Sequence, residues 1–142
     1  MDKNEVLEKL EVLGFDIEEV PDFGYIFKFE GLTLLYMPDD DDENFLRFAA
    51  PNIFDVTDEN RAFVLEVVNE TNLTIKYSKV CAYGEQVWAF YEYRLFGDGE
   101  LEDIIEHSLY LIRATVVLFH RKVEGGDIEE KENDEEEKGE ES

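Results

Sequence analysis

The chain has one cysteine, three prolines and two histidines among 142 residues, and only 13 basic side chains against 37 acidic ones. The single cysteine, Cys81, excludes an intrachain disulfide, and neither neighbour, Val80 or Ala82, is a base that would activate a thiolate. The two histidines, His107 and His120, fall thirteen residues apart on a predicted helix. At about 100° per residue they lie on roughly opposite sides, so one metal ion does not take both. The shortage of bases leaves a formal charge of −24. Phosphate backbones and anionic lipid surfaces are repelled by such a chain, so neither nucleic acid nor membrane is expected as a partner.

Long apolar runs are also missing. The longest, Leu109 to Phe119, is too short to cross a bilayer and contains Arg113. Met1-Asp2-Lys3-Asn4-Glu5 lacks the charged-then-apolar order of a signal segment, and the expected location is cytoplasmic. Catalytic motifs are absent too. There is no G-x-S-x-G, no Walker loop and no dinucleotide fingerprint. Gly97-Asp98-Gly99 is too short to cradle phosphate and puts an acid where the anion would sit. Ser78 and Ser108 fall inside predicted regular elements. The expectation is a protein with no catalytic residues, no metal site and no cofactor.

What is present is a globular composition, 44% hydrophobic, whose periodicity predicts an ordered α+β domain over residues 1–123. Asp2 and Glu5 have capping-box spacing ahead of a short helix with Val6, Leu7, Leu10 and Leu13 as its apolar stripe. Gly14 is placed to stop it. Phe15 to Val20, Tyr25 to Phe29 and Leu32 to Met37 read as strands; Gly31 is either a tight turn or a bulge within one longer strand. Phe45 to Ala50 is a further strand after the polar loop beginning at Pro38. Thr57 is the expected N-cap of a helix carrying Phe63, Val64, Val67 and Val68 and ending at Asn69 to Asn72. Thr74 to Ala82 and Glu85 to Leu95 are strands around Tyr83-Gly84. A final helix runs from about Glu100 to Lys122, with Asp98 placed to cap it. Its apolar residues cover more than the stripe of roughly 100° that one sheet face needs. A second subunit is the simplest cover for the surplus, with the N-terminal helix as the alternative. Residues 124–142, opening at Gly125-Gly126 and holding 11 acids and two bases, are expected to be a disordered acidic tail.

Several of these segments carry a resemblance. Leu13-Gly14-Phe15 follows the first helix, Phe45 to Pro51 is a strand closing on proline, and Thr57 to Asn72 is a helix closing on asparagine. Ile75-Lys76-Tyr77 leads into Tyr83-Gly84-Glu85, and Val87-Trp88-Ala89 begins the returning strand. In this pattern residues 1–123 resemble the YbjN-type bacterial family, which is similar in fold to the class I chaperones of type III secretion. The resemblance implies an antiparallel sheet of about five strands flanked by helices in the order α-βββ-α-ββ-α, a tendency to form homodimers, and a role in binding another protein. It brings no catalytic motif, and the acidic tail is not part of it.

Two clusters remain as candidate sites. Asp39 to Glu43 gathers carboxylates suited to a hard cation, but an EF-hand frame begun at Asp39 puts Asn44 at the glycine position and Ala50 at the twelfth, so an acidic solvated turn is the better reading. Trp88, Phe90 and Phe96 are the expected partner-binding residues. Trp88 and Phe90 share one strand face and Tyr91 and Tyr93 the other, so both faces call for cover, by core or by a partner segment. From the net charge that segment is expected to be basic or amphipathic. An acidic mimic of nucleic acid, blocking a basic groove, and a calcium-responsive sensor are the alternatives.

Overall fold

A computed structural model describes residues 2–96 and 99–140, with side chains described through Gly125. Asp98, the expected cap, therefore lies outside the described residues, and the tail expected over 124–142 lies outside the described side chains from residue 126 onward.

The fold is α+β. Among the described residues, six antiparallel strands form one sheet in the order β1-β2-β3-β4-β6-β5, with three helices. Helix α1 (Lys3–Val12) starts where the Asp2 carboxylate accepts from Glu5 N at 3.0 Å. It stops at Gly14, whose φ of +96° suits a residue without a Cβ. Strands β1 (Glu18–Val20), β2 (Gly24–Phe29) and β3 (Leu32–Tyr36) form a meander. The open question at Gly31 resolves as a tight turn. Glu30 and Gly31 both have positive φ, which fits a two-residue hairpin turn matched to strand twist. The sheet has one more strand than the five or so that the resemblance implies.

Strand β4 (Phe45–Asp55) runs past the expected end at Ala50. It does so through a bulge, with the register shifting between Ala50 and Phe54. Pro51 sits in that irregularity, where its missing N–H removes no ladder bond, and Asn52 takes a φ of +45°. His120 Nε2 donates to the Ile53 carbonyl at 2.6 Å, so the final helix is tied to the bulge.

Helix α2 (Arg61–Thr74) begins later than expected. Thr57 N donates to Asn60 Oδ1 and Asn60 N to Thr57 Oγ1, a reciprocal pair that closes a turn just before the helix. Thr57 thus caps that turn, and Asn60 holds the N-cap position. The helix also runs on to Thr74, the first residue of the strand expected over Thr74 to Ala82. Ile75 to Tyr77 is a bend with Tyr77 at φ +69°, and β5 (Ser78–Tyr83) starts only at Ser78. Strand β6 (Gln86–Arg94) lies between β4 and β5.

Helix α3 (Leu101–Glu140) lies on the sheet through Leu101, Ile105, Leu109, Ile112, Val116 and Phe119, all buried. Ser108 and Thr115 are buried on it as well, their hydroxyls donating to the Ile104 and Leu111 carbonyls. Val6 and Leu10 of α1 and Val64 and Val67 of α2 join the same core. Part of the surplus apolar arc of α3 is therefore covered within the chain. The same core takes Phe27, Leu34, Tyr36, Phe48, Ala89 and Tyr91, which alternate onto one face of the sheet. The helices gather on that face.

Candidate functional site

The opposite face of the sheet holds a second, smaller apolar cluster: Leu35, Ala49 and Trp88, with Val20, Ile26, Met37 and Phe90 packed against it. No helix residue belongs to it. Strand register builds it as a row across the sheet, because Ile26 pairs with Leu35, Leu35 with Ala49, and Ala49 with Phe90. The next row toward the strand ends holds Trp88 opposite Cys81.

Trp88 and Phe90 stand where the alternation of β6 put them, on the face without helices, and Tyr91 and Tyr93 stack under the helices. Trp88 is 9% exposed. Its ring stacks on Phe90 at 6.0 Å and meets Tyr83 at 5.2 Å, and its Nε1 donates to Gln86 Oε1 at 3.0 Å. It forms the floor of the cluster, while half-buried Phe90 and 60% exposed Tyr83 offer the accessible rings. Phe96 does not join them. It lies beyond the end of β6, 76% exposed, roughly 20 Å along the chain from Phe90 at strand rise. The edge of the aromatic strand is not free either, since β6 is paired on both sides.

The outer strands of the sheet are β1 and β5, and the β5 edge is plugged. Asn72 of α2 reaches over to Val80, its Nδ2 donating to the Val80 carbonyl at 2.9 Å and its Oδ1 accepting from Val80 N at 2.8 Å. The side-chain amide thus imitates one residue of a neighbouring strand.

Arg47 is the residue that the strand alternation did not single out. It lies on the helix-free face beside Met37 and Glu92, with its guanidinium over the Phe45 ring at 5.2 Å. Its Nε is buried without a hydrogen-bond acceptor among the described residues. Lys79 ion-pairs with Glu92 and lies over the Phe90 ring at 5.8 Å.

A second apolar surface is a groove between the bend after α2 and the outer side of α3. Ile75, Tyr77, Leu111, Ala114 and Leu118 line it, with His107 and Lys76 at its rim. Here the part of α3 left uncovered by the other helices meets Tyr77, itself 70% exposed.

The acidic run Asp39 to Glu43 forms the connection between β3 and β4. Asp39 Oδ1 accepts from Asp41 N, Asp42 faces Arg94 at 3.4 Å, and Asp40 lies 4.0 Å from Lys3. Among the described residues no group of three or more His, Cys, Asp or Glu side chains is placed to hold a metal ion. Nor is any helix among them long and apolar enough to cross a membrane. Two tyrosines carry shifted hydroxyls. Burial, then the neighbouring Tyr25, raises Tyr36, and burial raises Tyr91 against a smaller lowering by the Ser108 hydroxyl.

No protein-family model matches the chain, and no curated protein matches it in sequence. Solved structures do match it in shape. YbjN from E. coli, proposed as a transcription regulator, superposes with a TM-score of 0.65 over 87% of this chain and 92% of that one, at 10% identity. An uncharacterised protein from Methanothermobacter thermautotrophicus gives 0.59 over 87% and 97%, at 12% identity. The chain thus has a YbjN-like fold. Neither neighbour is described as an enzyme.

Proposed function

We propose that this chain is a non-catalytic protein-binding module, chaperone-like or regulatory, that holds an amphipathic segment of another protein on the helix-free face of its sheet. One observation carries the reading. The sheet is apolar on both faces, yet the helices gather on one of them, and Ile26, Met37, Phe90 and Tyr83 remain on the other with no layer above them. An apolar patch rimmed by polar side chains is how interaction surfaces are built on soluble domains. The regulatory role proposed for YbjN is compatible with a binding module.

Capture of partners from the native cell, with Phe90→Gln beside the unchanged chain, tests this. Loss of a reproducible partner with unchanged thermal melting supports the face; a partner retained at full strength removes it. Homodimerisation is a separate proposal for the groove at Tyr77 and Leu118. Light scattering at tens of micromolar reads it, and a monomer there overturns it.

A further inference from the structure

The charge of the helix-free face differs from that of the domain around it, which bears on the partner's chemistry; this inference rests on the binding-module reading. By strand register the face carries Lys28, Arg47, Lys79 and Arg94 against Glu18, Asp55 and Glu92. Elsewhere in residues 1–123, seven bases face 23 acids. The acidity that attracts basic proteins to the chain as a whole is therefore missing where the apolar row is open.

Three of the four bases are engaged. Lys79 pairs with Glu92, Arg94 with Asp42, and Lys28 donates to Thr33 Oγ1. Arg47 makes no ion pair among the described residues, and its buried Nε lacks an acceptor. Its guanidinium stands on the same face as the open apolar row, where a carboxylate brought by a partner would pair with it through a charge-assisted hydrogen bond. The apolar row Ile26–Leu35–Ala49–Phe90 lies two residues further along the strands, roughly 7 Å away. That is the spacing between side chains on one face of an extended peptide.

We propose that this face takes a short acidic segment bearing apolar side chains, with a carboxylate on Arg47 and its apolar residues on Phe90, Leu35 and Ile26. A basic segment would set its own cations against Arg47 and Lys79. A nucleic acid would extend past the four bases onto the surrounding acids, where each further phosphate is repelled.

Trp88 is the sole tryptophan and stacks on Phe90, so its fluorescence reports occupancy of the face without a label. The full-length chain is titrated with a ten-residue peptide of alternating leucine and glutamate, with its leucine–lysine counterpart, and with an oligothymidine. The expected result is a saturable change with the leucine–glutamate peptide alone. Arg47→Gln should weaken it at least tenfold with unchanged thermal melting, and Arg47→Lys should restore part of the loss. Equal or tighter binding of the lysine peptide or the oligothymidine overturns the proposal, as does no saturation with the glutamate peptide or an affinity indifferent to Arg47→Gln. If the glutamate peptide fails while a native partner is still captured in a Phe90-dependent way, the binding module stands and only its acidic ligand falls.

Discussion

Removing the Asn72 side chain should destabilise the domain and unmask its sheet edge at once. Asn72→Ala deletes two hydrogen bonds, at 2.8 and 2.9 Å, that satisfy both backbone groups of Val80. Each such bond contributes about 0.5–1.5 kcal/mol net, and the stranded groups sit at the α2–β5 junction, where Val80 itself is buried. The expected loss is about 2 kcal/mol. For a domain of this size that lowers the melting temperature by roughly 8 °C. Water can solvate part of the freed edge, which keeps the figure from rising further. Asn72→Asp is the informative companion, because it keeps an acceptor for Val80 N but sets a carboxylate against the Val80 carbonyl. It should be no better than alanine. Thermal and urea unfolding measure the loss, and a rise in self-association with concentration reports the open edge. A change below about 0.5 kcal/mol in Asn72→Ala, with no new association, would refute the reasoning that the amide plugs the strand.

Gly24→Ala should be more damaging, by about 3 kcal/mol or more, because a Cβ there would fall 2.1 Å from the Tyr36 carbonyl oxygen at a φ of +142°; a melting temperature within 2 °C of the unchanged chain would contradict it. Alkaline stability should follow Tyr36. Its folded hydroxyl holds its proton above the ordinary pKa of 10, so its contribution is intact below pH 10 and is lost as the pH climbs beyond. Urea midpoints measured from pH 8 to 11 should fall less steeply in Tyr36→Phe, and equal slopes would count against burial as the cause. Deleting residues 125–142 should leave thermal stability nearly unchanged, since little apolar surface goes and like-charge repulsion falls; a drop of many degrees would mean that the segment docks on the domain.

Much of the architecture is written locally. The alternation of Trp88 to Tyr93 assigns each ring to its face, and Gly31 with a turn-tolerant Glu30 closes a hairpin. Where element boundaries depart from local propensity, tertiary contacts decide them. Ile75 to Tyr77 has strand propensity, but a Thr71 carbonyl bond to Ile75 N extends the helix to Thr74, and Asn72 fixes where β5 begins. Pro51-Asn52 is a bulge signal that ended the strand too early when taken as a terminator. Periodicity measured the apolar arc of α3 but not which elements cover it, and α1 and α2 supply cover that the helix sequence does not reveal. The candidate site was partly legible. Trp88 and Phe90 share the open face, whereas Phe96 is separated from them because the strand stops at Arg94. Arg47 was passed over because alternation marks it only as one more polar position. Its meaning comes from the neighbours that leave its Nε without an acceptor.

The most direct test uses the lone cysteine. Cys81 is half-buried on the helix-free face and pairs across the sheet with Trp88. The rate of Cys81 alkylation is measured in the full-length chain with and without its captured partner. A segment lying on this face should slow the reaction severalfold while leaving the groove at Tyr77 accessible. An unchanged alkylation rate with the partner fully bound would place the binding surface elsewhere and contradict the account.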